Sequence, residues 1–178
     1  VQKTLDVSPG DFFDVFVPGV NAGVDGEGSQ GGDAEFFVDG NIQMRAKGGA
    51  PATFANPGTG STTGGVGNLV RKGGNGASFD GLLFGAGGGA AGPDGDGGNA
   101  VNPNGGAGGG GFAGDGAPSG EDVTINPTVN QEGLPGEDYG GGGSGVYKYS
   151  GSGDGVFGGS GAAGFVKIPY LDSRPGFY

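Results

Sequence analysis

The 178-residue chain contains 51 glycines and 11 prolines, no cysteine and no histidine, and its 19 acidic against 8 basic side chains leave a net charge of −11. Disulfides, thiolate chemistry, His-ligated zinc and Ser-His-Asp or Cys-His nucleophilic sites are therefore excluded, as is recognition of a phosphate backbone, which needs clustered Lys and Arg. Leu, Ile, Val and Phe supply about one fifth of the residues, so burial of large apolar side chains cannot by itself hold the chain together.

Residues 1–48 read as a β-rich N-terminal segment. Phe12, Phe13, Val15, Phe16 and Val17 predict a strand, bounded by turns at Pro9-Gly10 and Pro18-Gly19. AEFFVDGNIQMRAKG then predicts a hairpin about Asp39-Gly40. Within it Ile42, Met44 and Ala46 alternate with Gln43, Arg45 and Lys47, the pattern of one buried and one wet face.

From 49 to 164, glycine runs alternate with loops. The runs fall near 48–49, 73–76, 85–92, 105–111, 140–145 and 158–164. An α-helix is disfavoured, since each interior glycine costs about 1 kcal/mol relative to alanine. A regular sheet is weak without side chains to pack. Runs such as GAGGG and GGAGGGG break the strict Gly-X-Y frame of collagen. A flexible linker or a bundle of polyglycine II helices remains. Such a helix has no internal hydrogen bonds, so every N–H and C=O must find a partner on a neighbour, and a side chain in the contact would prevent it. The expected fold is thus mostly irregular with short β-strands: a bundle or sandwich of polyglycine II helices with the β-rich segment packed on it. In the most glycine-dense stretch, 84–116, two helices are expected, capped by Phe84 and Phe112 and joined by a loop over 93–104. Residues 165–178 read as a closing strand, from Phe165, Val166 and Ile168, and a tail. No leader pattern and no long apolar run is visible, so a membrane-embedded chain is not expected.

Candidate chemistry is sparse. Carboxylate pairs such as Asp33 with Glu35, or Glu121 with Asp122, sit in polar contexts with nothing to raise one pKa, and no enzyme is expected. Asp94 and Asp96 in DGDGG place two carboxylates in a glycine-rich loop that suits calcium, the one cofactor considered. The full EF-hand pattern is missing, and Asp-Gly is a common turn dipeptide, so plain turns are the default. Recognition is better placed in the loops. Tyr147 and Tyr149 lie in VYKYSGSGDG, a composition suited to an adaptable binding surface, although both residues also suit a capping role. Phe54, Asn56, Asn126 and Tyr139 complete the candidate contacts.

GGDAEFFVDGNIQMRAKGG, GNGASFDGLLFGAGGGAAGPDGDGG and the closing GSGAAGFVKI resemble the glycine-rich domains at the ends of bacteriophage tail fibres, in particular the distal adhesins of T-even-like phages. The resemblance covers most of residues 5–171. It implies a sandwich of polyglycine II helices whose exposed loops recognise a bacterial surface receptor, an outer-membrane protein or a glycan. It also implies an extracellular place at the fibre tip and a trimeric fibre or other virion protein as partner. The alternative expectation is a self-assembling structural protein: a capsid decoration or an extracellular filament.

Overall fold

The sheet forms where apolar and polar residues alternate. The structure, a computed structural model, describes residues 1–20, 22, 30–51, 56–78, 85–119, 132–145, 158–164 and 166–168. Strands β1 (Phe13–Phe16), β2 (Ala34–Val38) and β3 (Asn41–Ala46) make an antiparallel sheet in the order β1-β2-β3. The β2–β3 turn is tight because Asp39 and Gly40 both adopt positive φ, 48° and 75°, the handedness that matches strand twist. Phe36, 4% exposed, is the one large side chain in the described core, and the Phe13 ring stacks on it at 5.7 Å. The predicted alternation along β3 is blurred. A register shift between Phe36 and Phe37 interrupts the two-residue period, and Ile42 to Ala46 are all half-buried.

Two ion pairs brace β2 against β3 and the residues flanking them. Glu35 Oε1 meets Arg45 Nε at 2.7 Å, and Asp33 Oδ2 meets Lys47 Nζ at 2.5 Å. Asp33 also accepts the Gly48 N–H at 3.1 Å, joining the sheet to the first glycine segment. Partial burial pushes the Asp33 carboxyl up, but the hydrogen bonds from Lys47 and Gly48, with the positive charges of Lys47 and Arg45, outweigh it and hold it below its ordinary value.

Beyond residue 47 the described chain has no helix and no further strand, only extended segments bonded backbone to backbone. Bonds to any one neighbour fall three residues apart. Gly87 and Ala90 donate to Ala117 and Gly114, and Gly142 and Gly145 donate to Gly88 and Gly85. Gly74 and Ala77 donate to Gly89 and Ala86, and Gly106 and Gly109 donate to Gly87 and Ala90. Segment 85–92 is therefore enclosed by 74–77, 98, 106–109, 114–117 and 142–145. The buried apolar residues here are all alanine (Ala86, Ala90, Ala100 and Ala117), so large apolar side chains contribute nothing to the described interior of the bundle. At some N–H groups a short polar side chain accepts in place of a carbonyl. Asn102 Oδ1 accepts from Ala86 N–H, Asn99 Oδ1 from Asn75 N–H, Asp115 Oδ1 from Gly108 N–H and Ser144 Oγ from Leu134 N–H.

Two expectations require correction. Residues 93–104 are not simply a loop: 97–100 is a segment in its own right, bonded to Lys72, Asn75 and Ala107. It reverses the chain once more, so 85–92 and 105–110 run parallel. Val166 to Ile168 make no strand, and Phe165 lies outside the described residues, as do Phe84 and its proposed capping role. Phe112 sits in a turn, 50% exposed.

A side chain at Gly88 would overlap the carbonyl of Gly74, and one at Gly109 the Gly95 oxygen and Gly92 nitrogen, whereas a Cβ at Gly95 meets nothing within 4 Å. Gly88→Val or Gly109→Val should lower stability by several kcal/mol, from overpacking of about 1–3 kcal/mol and displaced hydrogen bonds worth about 1 kcal/mol each. Gly95→Ala should be near neutral. Urea unfolding of the three variants checks this, and equal tolerance at all three would contradict close packing. Asp33→Asn should cost about 1 kcal/mol or less, as for a solvent-accessible pair. Because the folded pKa lies below the unfolded value of about 3.9, the Asp33 contribution is complete above that pH and lost as pH falls through the folded pKa. Unfolding curves at a series of pH values should show wild type and variant converging in acid; a widening gap would contradict the pairing.

Candidate functional site

Because the segments reverse at every connection, the two ends of the bundle differ. At one end, Asn102 bridges Ser78 O and Ala86 N–H, Ser119 N–H donates to Pro103 O, Gly145 N–H to Gly85 O and Gly159 N–H to Ser144 O. The stretches between 78 and 85, 119 and 132, and 145 and 158 begin and end here. Call this the loop pole. At the other end three of the connections are short. Gly92 N–H donates to Gly95 O, Asp94 N–H to Gly109 O and Tyr139 N–H to Phe112 O, and Gly110 and Gly111 turn the chain with φ of 88° and 65°. The sheet is attached at this end, through Pro18 O, which accepts from Gly164 N–H, and through paired bonds between Arg45 and Val66. A long connection at this sheet pole, 61–72, is pinned by that pairing and by Leu69 against Gln2.

The sequence candidates divide between the poles. Asn56 is exposed and stands at the loop pole, next to Pro57, which packs against Gly76. Phe54, Asn126, Tyr147 and Tyr149 lie outside the described residues, and the chain enters and leaves all three of their segments at the loop pole. Tyr139 is at the opposite end. It is 40% exposed, its N–H meets Phe112 O at 3.3 Å and its carbonyl accepts from Gly114 N–H. Lys167 Nζ lies 4.8 Å from the centroid of the Phe112 ring, a cation–π contact that the sequence reading did not foresee.

Asp94 and Asp96 are both exposed at the sheet pole. Asp96 Oδ1 accepts the Lys72 N–H at 3.1 Å, so this carboxylate helps to seat segment 97–100 beside 72–75. Among the described residues no group of three or more Asp, Glu, His or Cys comes together. Asp33 and Glu35 each face a cation, and Glu121 and Asp122 lie outside the described residues. The residues that sequence reasoning missed are the polar ones set singly among glycines, such as Asn75, Asn99, Asn102 and Asp115. Their signal was position: one short amide, carboxylate or hydroxyl inside or beside a glycine run, where it stands in for a backbone carbonyl.

A second face stands out at the sheet pole. β1 is an edge strand, and Phe12, Phe13, Val15, Phe16 and Val17 are between 41% and 64% exposed. The Asp39 N–H bond to Phe12 O sets the antiparallel phase and directs the backbone groups of Phe13 and Val15 away from β2. Asp11, Asp14 and Asp39 flank the apolar residues.

Comparison with protein families, with curated proteins and with solved structures finds no match to this chain. Among the described residues no helix is long and apolar enough to cross a membrane.

Asp96→Ala should destabilise the protein by about 1 kcal/mol, the net worth of a hydrogen bond, equally with added calcium and with a chelator. Thermal unfolding in both buffers is the measurement. A calcium-dependent rise in midpoint that disappears with Asp96→Ala would instead make Asp94 and Asp96 cation ligands.

Proposed function

We propose that this protein is a non-enzymatic virion component, the receptor-binding tip of a bacteriophage tail fibre, in which a bundle of polyglycine II helices carries recognition loops. The observation that carries the reading is the polarity of the bundle: three long connections, 78–85, 119–132 and 145–158, begin and end at one pole, and an exposed apolar strand lies at the other. A recognition module needs this division, with contacts on loops held by a rigid scaffold and a separate surface for attachment. The polyglycine II assignment is supported by the three-residue recurrence of bonds between neighbouring segments, since a helix with three residues per turn returns to the same neighbour at that interval. It is further supported by the absence of room for a Cβ at Gly87, Gly88, Gly106 and Gly116.

In this reading Tyr147 and Tyr149, with Phe54, Asn56 and Asn126, contact an outer-membrane protein or glycan of the bacterial surface. β1 seats the protein on the trimeric fibre or another virion protein. Tyr139 with Phe112 belongs to the attachment end. The exposed edge of β1 also favours a second reading, self-assembly into a filament. Like charges on Asp11 and Asp14, and −11 on every copy, oppose it.

Labelled protein should adsorb to a subset of bacterial species in a panel. Replacing 146–155 by a Gly-Ser linker should remove adsorption while the circular dichroism spectrum and unfolding midpoint are kept. Unchanged adsorption with intact folding would refute this loop assignment, and no adsorption to any species would count against the adhesin reading. Sedimentation separates the alternative: a filament former sediments as open polymers, an adhesin as a discrete particle.

A further inference from the structure

The sequence contains two Asn-Gly pairs, Asn75-Gly76 and Asn104-Gly105, and the fold treats them differently. In such a pair the amide nitrogen of the glycine can attack the asparagine side-chain carbon, because no Cβ blocks the approach. We infer that Asn104 is a site of spontaneous deamidation and isoaspartate formation in the folded protein, and that Asn75 is protected from the same reaction.

Asn75 is held at its side-chain oxygen, at its own backbone and at the attacking nitrogen. Its Oδ1 accepts the Gly60 N–H at 3.2 Å, and the nucleophile, the Gly76 nitrogen, donates to Gly58 O at 2.9 Å. Its own N–H and carbonyl are bonded to Asn99 Oδ1 and Ala100 N–H, both at 2.8 Å. It is half-buried, and attack would require parting segments 57–60, 73–77 and 97–100. Asn104 is exposed at the end of the turn 101–104. Its backbone is paired with Val101, at 2.8 and 3.1 Å, but among the described residues neither its side chain nor the Gly105 N–H makes a hydrogen bond. Among the described residues, electrophile and nucleophile are both without a partner.

The reaction balances without a cofactor. The Gly105 nitrogen forms a bond to Asn104 Cγ, the side-chain nitrogen leaves as ammonia carrying the proton lost from Gly105, and a five-membered cyclic imide results. Water then opens either carbonyl, giving Asp or isoAsp: amide plus water becomes acid plus ammonia. Both products add one negative charge at the loop pole. The isoaspartyl product also inserts a methylene into the main chain directly before Gly105, where even a Cβ would overlap the Gly116 carbonyl. The modification therefore changes both the charge and the backbone spacing beside the long connections, and it does not depend on what those connections bind.

Intact protein is incubated in mildly alkaline buffer, digested, and mapped by mass spectrometry with chromatographic separation of Asp and isoAsp peptides. Conversion at Asn104 should be at least about ten-fold faster than at Asn75, the factor set by releasing the Gly60 and Gly76 bonds at their usual net strength. The same incubation in denaturant should bring the two rates together. Asn104→Gln should remove the acidic species that accumulates in the folded protein. Comparable conversion at both sites in the folded state, or an intact Asn104 where the denatured chain converts, would overturn the inference.

Discussion

Every backbone N–H and C=O in a buried segment must find a partner, and here the partners lie on other segments of the chain. In an α-helix those groups are satisfied internally and the side chains face outward to pack. In the segments around 85–92 they face outward themselves, towards 74–77, 98, 106–109, 114–117 and 142–145. Backbone can bond backbone across such a contact only if nothing stands between. Gly87 would drive a Cβ into the Gly142 carbonyl, and Gly116 one into that of Gly87. Alanine survives at Ala86, Ala90, Ala100 and Ala117, where the methyl group is nonetheless buried. The glycine content is thus a requirement of the contacts. It also shifts the source of stability: with the described core of the bundle limited to methyl groups, hydrogen bonds must contribute a larger share than in an ordinary domain.

That constraint explains what could be read in advance and what could not. Strand signals are local, so β1 and the hairpin at Asp39-Gly40 were legible to within a residue or two. The glycine runs were legible as runs, because their composition disfavours helix and sheet and their spacing breaks the collagen frame. Which run bonds which was not. Segment 97–100 was absorbed into a loop because it contains only Gly97, Gly98, Asn99 and Ala100, and its partners Lys72, Asn75 and Ala107 are remote or unremarkable in sequence. Missing it inverts the direction of everything after it, and with that the end of the bundle to which each loop belongs. Tyr139 is a loop candidate beside Tyr147 and Tyr149 on composition, which carries no information about the end of the bundle at which a loop stands. Tyr139 follows a segment running towards the sheet pole, whereas the described flanks of 146–157 stand at the other end. Asp96 illustrates a different limit, since the sequence pairs it with Asp94 and cannot show the Lys72 N–H that its Oδ1 accepts.

Strict reversal has a consequence for how such a chain can vary. Among the described residues, each connection at the loop pole joins the bond pattern at its two flanks. Lengthening it costs loop entropy, which grows slowly, about 0.6 kcal/mol for each doubling. The turns at the sheet pole lack this freedom, because Asp94, Phe112 and Tyr139 are themselves in the hydrogen-bond pattern. The loop pole is therefore the end at which insertions and substitutions disturb the scaffold least. Within the bundle the opposite holds, and a single methyl group at Gly88 matters more than a new loop.

The sheet obeys a different rule, and the contrast bears on β1. Large apolar residues are scarce in this chain, yet Phe12, Phe13, Val15, Phe16 and Val17 gather on an edge strand that the described residues leave open. Folding stability accounts for them only in part, since residues 41% to 64% exposed contribute only part of their transfer energy. Edge strands of this kind invite pairing with a second copy unless something opposes it. Asp14 sits inside the strand and Asp11 just before it, so two β1 edges brought together antiparallel would also bring their carboxylates together. Repulsion of this kind falls off within about 8–10 Å at ordinary ionic strength, so it acts on close approach along the edge. A partner carrying opposite or no charge along its own edge meets the apolar side chains without that penalty. The arrangement disfavours like with like and leaves the surface open to a different polypeptide.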